Sequence, residues 1–229
     1  MPKMLRYLFS ISLLITCTIA FSQETEEANS LEKPSFDPGI AIGINVGTFI
    51  VPFFEPERLG LEATGRIQFN NKWFAVGELG YENVSFDKDS YDYDSNGSFL
   101  RLGVDYNIFR VEEIGNNDNI ILGFRYGFGV TDYKSNRYTI NDDYWGDYEG
   151  TVGSGTSTAH WGEFVFGLRS EIFKNFYMGW SVRARALFYI NNTQQLEPYA
   201  IPGYGKRDNS TNVSFTYNLE YYLPLRKKK

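Results

Sequence analysis

Cysteine and histidine are nearly absent from this sequence, and their scarcity excludes several kinds of functional site. The chain contains one cysteine, Cys17, and one histidine, His160. One cysteine cannot form an internal disulfide, and neither residue type is numerous enough to surround a transition metal. We therefore expect neither a disulfide framework nor a cofactor.

Long apolar runs are also lacking, apart from the first part of the chain. Residues 1–22 combine a basic start, an apolar run and the small residues Ala20 and Ser22, which is the pattern of a signal peptide cleaved after Ser22. The run is shorter than the about 20 apolar residues that a membrane-spanning helix needs. Cys17 leaves open the alternative of a lipid-anchored N-terminus.

The rest of the chain predicts one β domain between two polar ends. Residues 23–38 lack periodicity and predict a flexible leader, residues 39–225 form the domain, and residues 226–229 are a basic tail. The formal net charge is −6 at pH 7. Nothing in this acidic composition favours nucleic acid as a partner.

Helical periodicity is absent from residues 39–225, where apolar and polar residues alternate instead. Leu100, Leu102 and Val104 share one face of a strand, for example, whereas Arg101 and Asp105 share the other. This period predicts eight strands, each near or above the roughly 9–11 residues that a tilted strand needs to cross a bilayer. The predicted strands are 39–49, 60–70, 73–86, 98–109, 119–132, 160–173, 176–189 and 212–223.

The connections between the predicted strands alternate in length. Residues 71–72 and 174–175 are short links, whereas the links at 87–97, 132–159 and 190–211 are long. Short turns at one end and long loops at the other are typical of outer-membrane barrels. We therefore predict an all-β fold, an eight-stranded antiparallel up-and-down transmembrane β-barrel. Side chains just fill the interior of such a barrel, so we expect no wide channel.

Lysine is missing from the polar face of the predicted strands, although it is present in the leader, turns, loops and tail. The basic residues of that face are arginines, whose planar guanidinium groups suit enclosed pairing with carboxylates. The polar face therefore predicts a buried ionic interior. Its candidate members are Glu62, Arg66, Glu78, Glu82, Arg101, Asp105, Arg125, Glu163, Arg169, Glu171, Arg183, Arg185 and Glu220.

The alternation by itself would also fit a soluble barrel with the opposite sidedness. A periplasmic carrier of the lipocalin type would enclose a small apolar ligand and expose its polar face to water. The apolar face, however, carries no charge at its central positions, as contact with lipid requires. Aromatic residues near strand ends, such as Trp73, Trp161 and Tyr221, fit interfacial girdles. We therefore expect outer-membrane lipid of a Gram-negative bacterium around the barrel.

Several short stretches resemble a known family. Residues 199–204 (YAIPGY), 215–218 (FTYN) and 222–229 (YLPLRKKK) resemble the C-terminal part of an uncharacterised Bacteroidota family of exported barrel-like proteins with a domain of unknown function. Residues 103–107 and 122–128 support the resemblance. It implies location and fold, and it implies no activity. The basic tail differs from the terminal aromatic residue of many outer-membrane barrels, which leaves the insertion route open.

One acidic stretch resembles the start of a calcium-binding loop. Asp92, Asp94 and Asn96 precede Gly97 with the alternate spacing that wraps a hard cation. Gly103, however, stands where the bidentate glutamate belongs. An acidic surface loop is therefore the favoured interpretation, and no metal site is expected.

The longest predicted loop mixes aromatic rings with acids. Its candidate binding residues are Tyr138, Tyr144, Trp145 and Tyr148. Such rings stack on sugars or contact a protein partner at little entropic cost. A protein or glycan partner is one interpretation, and ordinary packing over the barrel mouth is the other.

His160 lies at the start of a predicted strand beside a Ser/Thr-rich stretch. A lipid-modifying barrel enzyme would use such a histidine as an acid or base. A lone histidine at a barrel rim is more often structural. We therefore expect a non-enzymatic barrel that acts through its outer loops, in binding, in adhesion or as an accessory subunit.

Overall fold

The computed structural model describes residues 38–70, 72–88, 91–109, 118–135, 138–140, 144, 146, 148–151, 153–192, 198–207 and 209–225. The predicted signal peptide, residues 23–37 of the predicted leader and the basic tail lie outside the described residues. Within the described ranges, no helix is long and apolar enough to cross a membrane.

Antiparallel strands make up most of the structure. In chain order they are β1 (Gly39–Asn45), β2 (Arg58–Gln68), β3 (Trp73–Lys88), β4 (Tyr91–Asn107), β5 (Asn119–Ser135), β6 (Tyr138–Ile140), β7 (Tyr148–Gly150), β8 (Gly153–Phe173), β9 (Phe176–Asn192), β10 (Ala200–Ile201), β11 (Gly205–Lys206) and β12 (Thr211–Pro224). Two pairs of short strands, β6–β7 and β10–β11, form hairpins. The other eight strands pair with their neighbours, and β1 pairs with β12 to close the ring. The predicted eight-stranded antiparallel barrel is confirmed.

Successive side chains point alternately out of and into this barrel. The outward positions are apolar and exposed, with Leu102 at 54%, Phe124 at 59% and Phe164 at 55% of full exposure. The inward Arg101 and Arg125 are 0% and 1% exposed. A charged interior inside an apolar belt is the arrangement of a membrane-spanning barrel and the reverse of a lipocalin. The fold is therefore of the outer-membrane type.

Several strands extend further at the long-loop end than the sequence predicts. The prediction of a long loop at 87–97 is wrong. β3 runs to Lys88 and β4 starts at Tyr91, and the two strands stay paired as far as Asp87 and Asp92 and beyond. The predicted loop at 132–159 is shorter than expected, since β5 and β8 occupy part of it. Above the lipid belt, water solvates outward polar residues, so a strand there lacks the apolar face that identifies it in a sequence.

The first strand is shorter than the predicted 39–49. β1 ends at Asn45, and a 3-10 turn (Val46–Phe49) and one helical turn, α1 (Val51–Phe54), follow it. The Asn45 Oδ1 atom accepts a hydrogen bond of 3.0 Å from the Gly47 N–H. This local bond favours a turn over continued sheet pairing, although the apolar alternation continues past Asn45.

The last long connection folds back into the barrel mouth. The hairpin β10–β11 has Ile201 and Tyr204 at 0% exposure, packed in one apolar cluster with Phe99, Ala159 and Trp161 of the barrel wall. We call residues 198–207 the plug hairpin. Part of the predicted loop at 190–211 is thus interior structure and not an outer binding surface.

Candidate functional site

Ion pairs fill the middle of the barrel, and Glu78 on β3 lies at their centre. Its carboxylate accepts two hydrogen bonds from Arg183, at 2.6 and 3.0 Å. It also pairs with Arg101 at 2.9 Å and with Arg125 at 3.7 Å. Glu78 is 1% exposed. This buried carboxylate therefore connects its own strand to three others across the lumen.

Glu163 on β8 forms a second centre closer to the plug hairpin. Its Oε1 atom accepts hydrogen bonds from Arg185 at 3.0 Å and from the Trp161 indole at 2.7 Å. Arg101 and Arg183 contact the same carboxylate at 3.3 and 3.5 Å. Both arginines are thus shared between Glu163 and Glu78, and the two centres form one network.

A third group of ion pairs lies toward the short-turn end. Asp105 accepts a hydrogen bond of 2.6 Å from Arg125 and a further one from Arg66. Arg66 also reaches Glu220 at 3.3 Å, and Arg169 donates to Glu220 at 2.7 Å. The cavity among these groups is only about 20 Å³, which is room for about one water molecule. The described lumen is therefore closed at this level.

Two acidic candidates lie at the ends of this network. Glu82 forms a forked pair with Arg58, with distances of 2.9 and 3.1 Å. Glu171 lies at the short-turn rim, where it accepts a hydrogen bond from the Asn175 N–H at 2.6 Å. Glu82 and Glu171 therefore lie at the two ends of the interior, whereas the other predicted interior residues belong to the three groups of ion pairs between them.

Sequence reasoning missed two members of the interior. Arg58 precedes the predicted start of its strand, yet it has the same parity as Glu62 and Arg66 and so points to the same side. The sequence predicts Trp161 in an interfacial girdle, but this residue is 0% exposed inside the barrel, on the same face as Glu163. Position parity within a strand would have identified both residues.

Backbone carbonyl groups of the plug hairpin join the ionic network. Arg185 donates to the Tyr204 carbonyl at 2.8 Å, and Arg101 donates to the Gly203 carbonyl at 3.5 Å. Gly203 has φ +75°, and a Cβ atom built there would collide with the Phe99 ring. The hairpin thus fits the barrel mouth closely and is held by the charges beneath it.

One ion pair fastens the outer side of the plug hairpin. Lys206 lies 2.8 Å from Glu55, which follows α1 in the connection between β1 and β2. The hydrogen bond and positive charge of Lys206 lower the pKa of Glu55 below its ordinary value, against the opposing effect of partial burial. Glu55 in turn raises the pKa of Lys206. This pair is partly exposed, so water screens it.

The aromatic candidates belong to the excursion between β5 and β8. Tyr144 and Tyr148 are 83% and 59% exposed, and Tyr148 begins β7. Tyr138 begins β6, which pairs with the outer end of β4. Trp145 lies outside the described residues. We call residues 138–150 the β6–β7 excursion.

The acidic stretch that resembled a calcium loop is part of a strand. Asp92, Asp94 and Asn96 lie on the outward side of β4, and Asp94 accepts a hydrogen bond from Ser85 at 2.6 Å. Lys134 lies 3.4 Å from Asp94. Among the residues that the structure describes, no group of three acids, histidines or cysteines is close enough to hold a metal ion. The loop interpretation of this stretch is wrong.

His160 points outward from β8 into a group of aromatic rings. Its Nδ1 atom lies 2.6 Å from the Tyr126 hydroxyl, and its ring lies 5.0 Å from Phe128 and 5.5 Å from Tyr189 between centroids. Aromatic and amphipathic rings at this level are typical of the outer interface of a membrane barrel.

Solved structures with a similar fold share little sequence with this chain. One is Ail, the attachment invasion locus protein of Yersinia pestis, in complex with the heparin analogue sucrose octasulfate. Ail is 14% identical to this chain, and the match has a TM-score of 0.45 and covers 82% of this chain and 100% of Ail. A major outer membrane protein from Thermus thermophilus is 9% identical, with a TM-score of 0.45 over 82% of this chain and 100% of that chain. CarO2 of Acinetobacter baumannii is 12% identical, and the match has a TM-score of 0.39 and covers 81% of this chain and 98% of CarO2.

At the level of sequence, no curated protein matches this chain. A family model described as a domain of unknown function, DUF6048, matches residues 4–228. The match spans nearly the whole chain, and the protein therefore belongs to the DUF6048 family.

Proposed function

We propose that this protein is a non-enzymatic barrel of the Gram-negative outer membrane that binds an extracellular protein or glycan through the β6–β7 excursion. The resemblance noted in the sequence favours a bacterium of the Bacteroidota. The observation that carries the proposal is the closed interior. Ion pairs close the middle of the described lumen and the plug hairpin packs into its mouth, so we assign partner binding to the outer surface.

The chemistry of the excursion supports this assignment. Tyr144 and Tyr148 are both exposed, and the same stretch of sequence carries Asp142, Asp143 and Asp147. Exposed tyrosines in a stretch of sequence that also carries acids suit stacking on sugar rings or contact with a protein surface. The excursion is held by the pairing of β6 with β7 and of Tyr138 with Tyr91 of β4, which limits the entropy lost on binding.

The test is a double substitution, Tyr144→Ser with Tyr148→Ser, in protein held in lipid nanodiscs. A glycan array and intact host-type cells provide the two classes of partner, and binding is measured by fluorescence of labelled nanodiscs. Loss of two aromatic contacts should weaken binding at least about tenfold. The matched variant, Tyr144→Phe with Tyr148→Phe, keeps both rings and should retain most of the binding. Unchanged binding by the serine variant would contradict the proposal.

The alternative of a lipid-modifying enzyme depends on His160. The aromatic surroundings of that side chain and its hydrogen bond with Tyr126 favour an interfacial role. We expect His160→Ala to leave the composition of the outer-membrane lipids unchanged in mass spectra of extracted lipid. A lipid species that disappears in the variant would support the enzyme instead.

A further inference from the structure

Residues 46–55 take the place of a strand in the outer half of the barrel wall. β1 ends at Asn45, whereas the strands on either side extend further outward, β2 to Arg58 and β12 to Thr211. The 3-10 turn packs against both of these strands, and α1 packs against β2. The Asn45 side chain also accepts a hydrogen bond of 3.3 Å from the Tyr217 N–H of β12. The connection between β1 and β2 is therefore part of the wall, and we call residues 46–55 the wall segment.

The wall segment has two chemically different sides. Thr48, Val51 and Glu55 line a cavity of about 570 Å³ next to the plug hairpin. The side chains of the other side are large, apolar and exposed: Phe49, Ile50, Phe53 and Phe54. Residues three and four positions apart lie on the same side of a helical turn, so the two sets point in opposite directions. The wall segment is thus amphipathic, with its apolar side turned away from the cavity.

The apolar side of the wall segment continues the lipid-facing belt of the barrel. Beyond the last residues that pair with β1, the flanking strands still carry exposed outward apolar side chains: Leu59, Leu61, Val213 and Phe215. The charged Glu62 in the same part of β2 points inward and is buried. The wall segment lies between these two strands. Its exposed rings therefore join the apolar surface of β2 to that of β12.

The chemistry of this surface differs from that of the β6–β7 excursion. Phe54 and Tyr144 have the same exposure, 83%. Tyr144 carries a hydroxyl group in a stretch rich in acids, whereas residues 49–54 (FIVPFF) include no polar side chain. Apolar rings without a polar group favour hydrocarbon over water. Continuity with the belt therefore favours acyl chains, and not a protein in the aqueous phase, as the material that covers these rings.

We propose that Phe53 and Phe54 insert among the acyl chains of the outer leaflet and anchor the wall segment in the membrane. The polar side of the segment then faces the barrel mouth, where Glu55 pairs with Lys206. Amphipathic segments of this kind place their apolar side about 5–10 Å into the boundary between head groups and acyl chains. This inference is independent of the partner proposed for the β6–β7 excursion, because the two regions share no residue.

Spin labels show whether position 54 lies in hydrocarbon or in water. In full-length protein with Cys17→Ser, a single cysteine is introduced by Phe54→Cys, Leu102→Cys or Tyr144→Cys and labelled with a nitroxide. The protein is held in nanodiscs of phosphatidylcholine alone. Molecular oxygen concentrates in hydrocarbon, whereas a nickel chelate stays in water, so the two relaxation rates together give the depth of each label.

The two control positions bracket the expected result. Leu102 lies outward in the belt, and Tyr144 matches Phe54 in exposure. We expect the label at position 54 to lie about 5–10 Å below the head groups and to be shielded from nickel, as the label at position 102 is. The label at position 144 should be accessible to nickel. A label at position 54 that is as accessible to nickel as the one at position 144 would overturn the proposal.

Replacement of both rings tests whether they anchor the wall segment. The Phe53 N–H donates to the Ile50 carbonyl at 3.1 Å, and the Glu55 N–H donates to the Val51 carbonyl at 2.8 Å. In Phe53→Ser with Phe54→Ser, hydrogen exchange of the wall segment should become at least about tenfold faster, equivalent to about 1.4 kcal/mol. The matched variant, Phe53→Leu with Phe54→Leu, stays apolar and should keep its protection. Exchange that is unchanged in the serine variant would refute anchoring, and heat-modifiable gel mobility verifies that both variants are folded.

Discussion

Replacing Glu78 with glutamine tests whether the interior ion pairs hold the barrel together. Glutamine keeps the shape of the side chain and one acceptor oxygen but removes the negative charge. Arg183 would lose its forked partner, with distances of 2.6 and 3.0 Å, and Arg101 would lose a charge 2.9 Å away. Both guanidinium groups would stay enclosed, because Arg101 is 0% and Arg183 1% exposed.

The expected cost follows from what remains around the two arginines. Removing one partner of a buried ion pair costs roughly 3–5 kcal/mol, because the other charge is left without compensation. Here Glu62 still pairs with Arg101 at 2.6 Å, and Glu163 contacts both arginines. We therefore expect the lower end of that range, about 3 kcal/mol of unfolding free energy.

The assay is equilibrium unfolding by urea in lipid vesicles, followed by tryptophan fluorescence and by gel mobility. The control is Glu82→Gln, since the pair of Glu82 with Arg58 has 11% and 23% side-chain exposure. That variant should lose only about 1 kcal/mol, as more exposed pairs do. The double variant Glu78→Gln with Arg183→Gln should lose less than the sum of the two single variants. The reasoning fails if Glu78→Gln is no less stable than Glu82→Gln.

Three further predictions concern the plug hairpin and the lumen. Gly203→Ala should lower the free energy of unfolding by about 1–3 kcal/mol through backbone strain at φ +75°, and by more through the collision with Phe99. In the control Gly146→Ala, the φ is +80° and no atom lies within 4 Å of the added Cβ, so only the backbone strain should appear. Urea unfolding measures both variants. The Glu55–Lys206 pair stabilises the hairpin above the ordinary carboxyl pKa of 4.5, and this stabilisation should be lost as pH falls through the lowered pKa of Glu55. Hydrogen exchange of residues 198–207 measures it, and Glu55→Gln should abolish that pH dependence. In planar bilayers we expect no steady ion conductance, and regular single-channel openings would show that the lumen is not closed.

The strands and their sidedness are predictable because they depend on a simple physical rule. Lipid excludes charge from one face of every strand, so Leu102 and Arg101 identify outside and inside without further information. The restriction of strand arginines to the polar face likewise indicates enclosed pairing. Which carboxylate meets which arginine depends on register and strand tilt, and neither can be read from alternation.

The plug hairpin and the end of β1 are not predictable in the same way. Residues 198–207 have no alternation, and their apolar members Ile201 and Tyr204 find partners only after the barrel exists. At the end of β1, Asn45 accepts hydrogen bonds from the Gly47 N–H, the Thr48 hydroxyl and the Tyr217 N–H, whereas apolar alternation favours a longer strand. Structure that is set by local capping or by late docking leaves little periodic signal in a sequence.

The span of the ion pairs along the chain bears on how the barrel assembles. Glu78 and Arg183 are 105 residues apart, and Arg66 and Glu220 are 154 residues apart. A half-inserted sheet would hold these charges unpaired beside hydrocarbon, which is strongly unfavourable. We therefore expect neutralisation of the lumen to accompany closure of β1 onto β12. We expect insertion to proceed without a stable open-sheet intermediate, because the barrel becomes stable only when β12 pairs with β1.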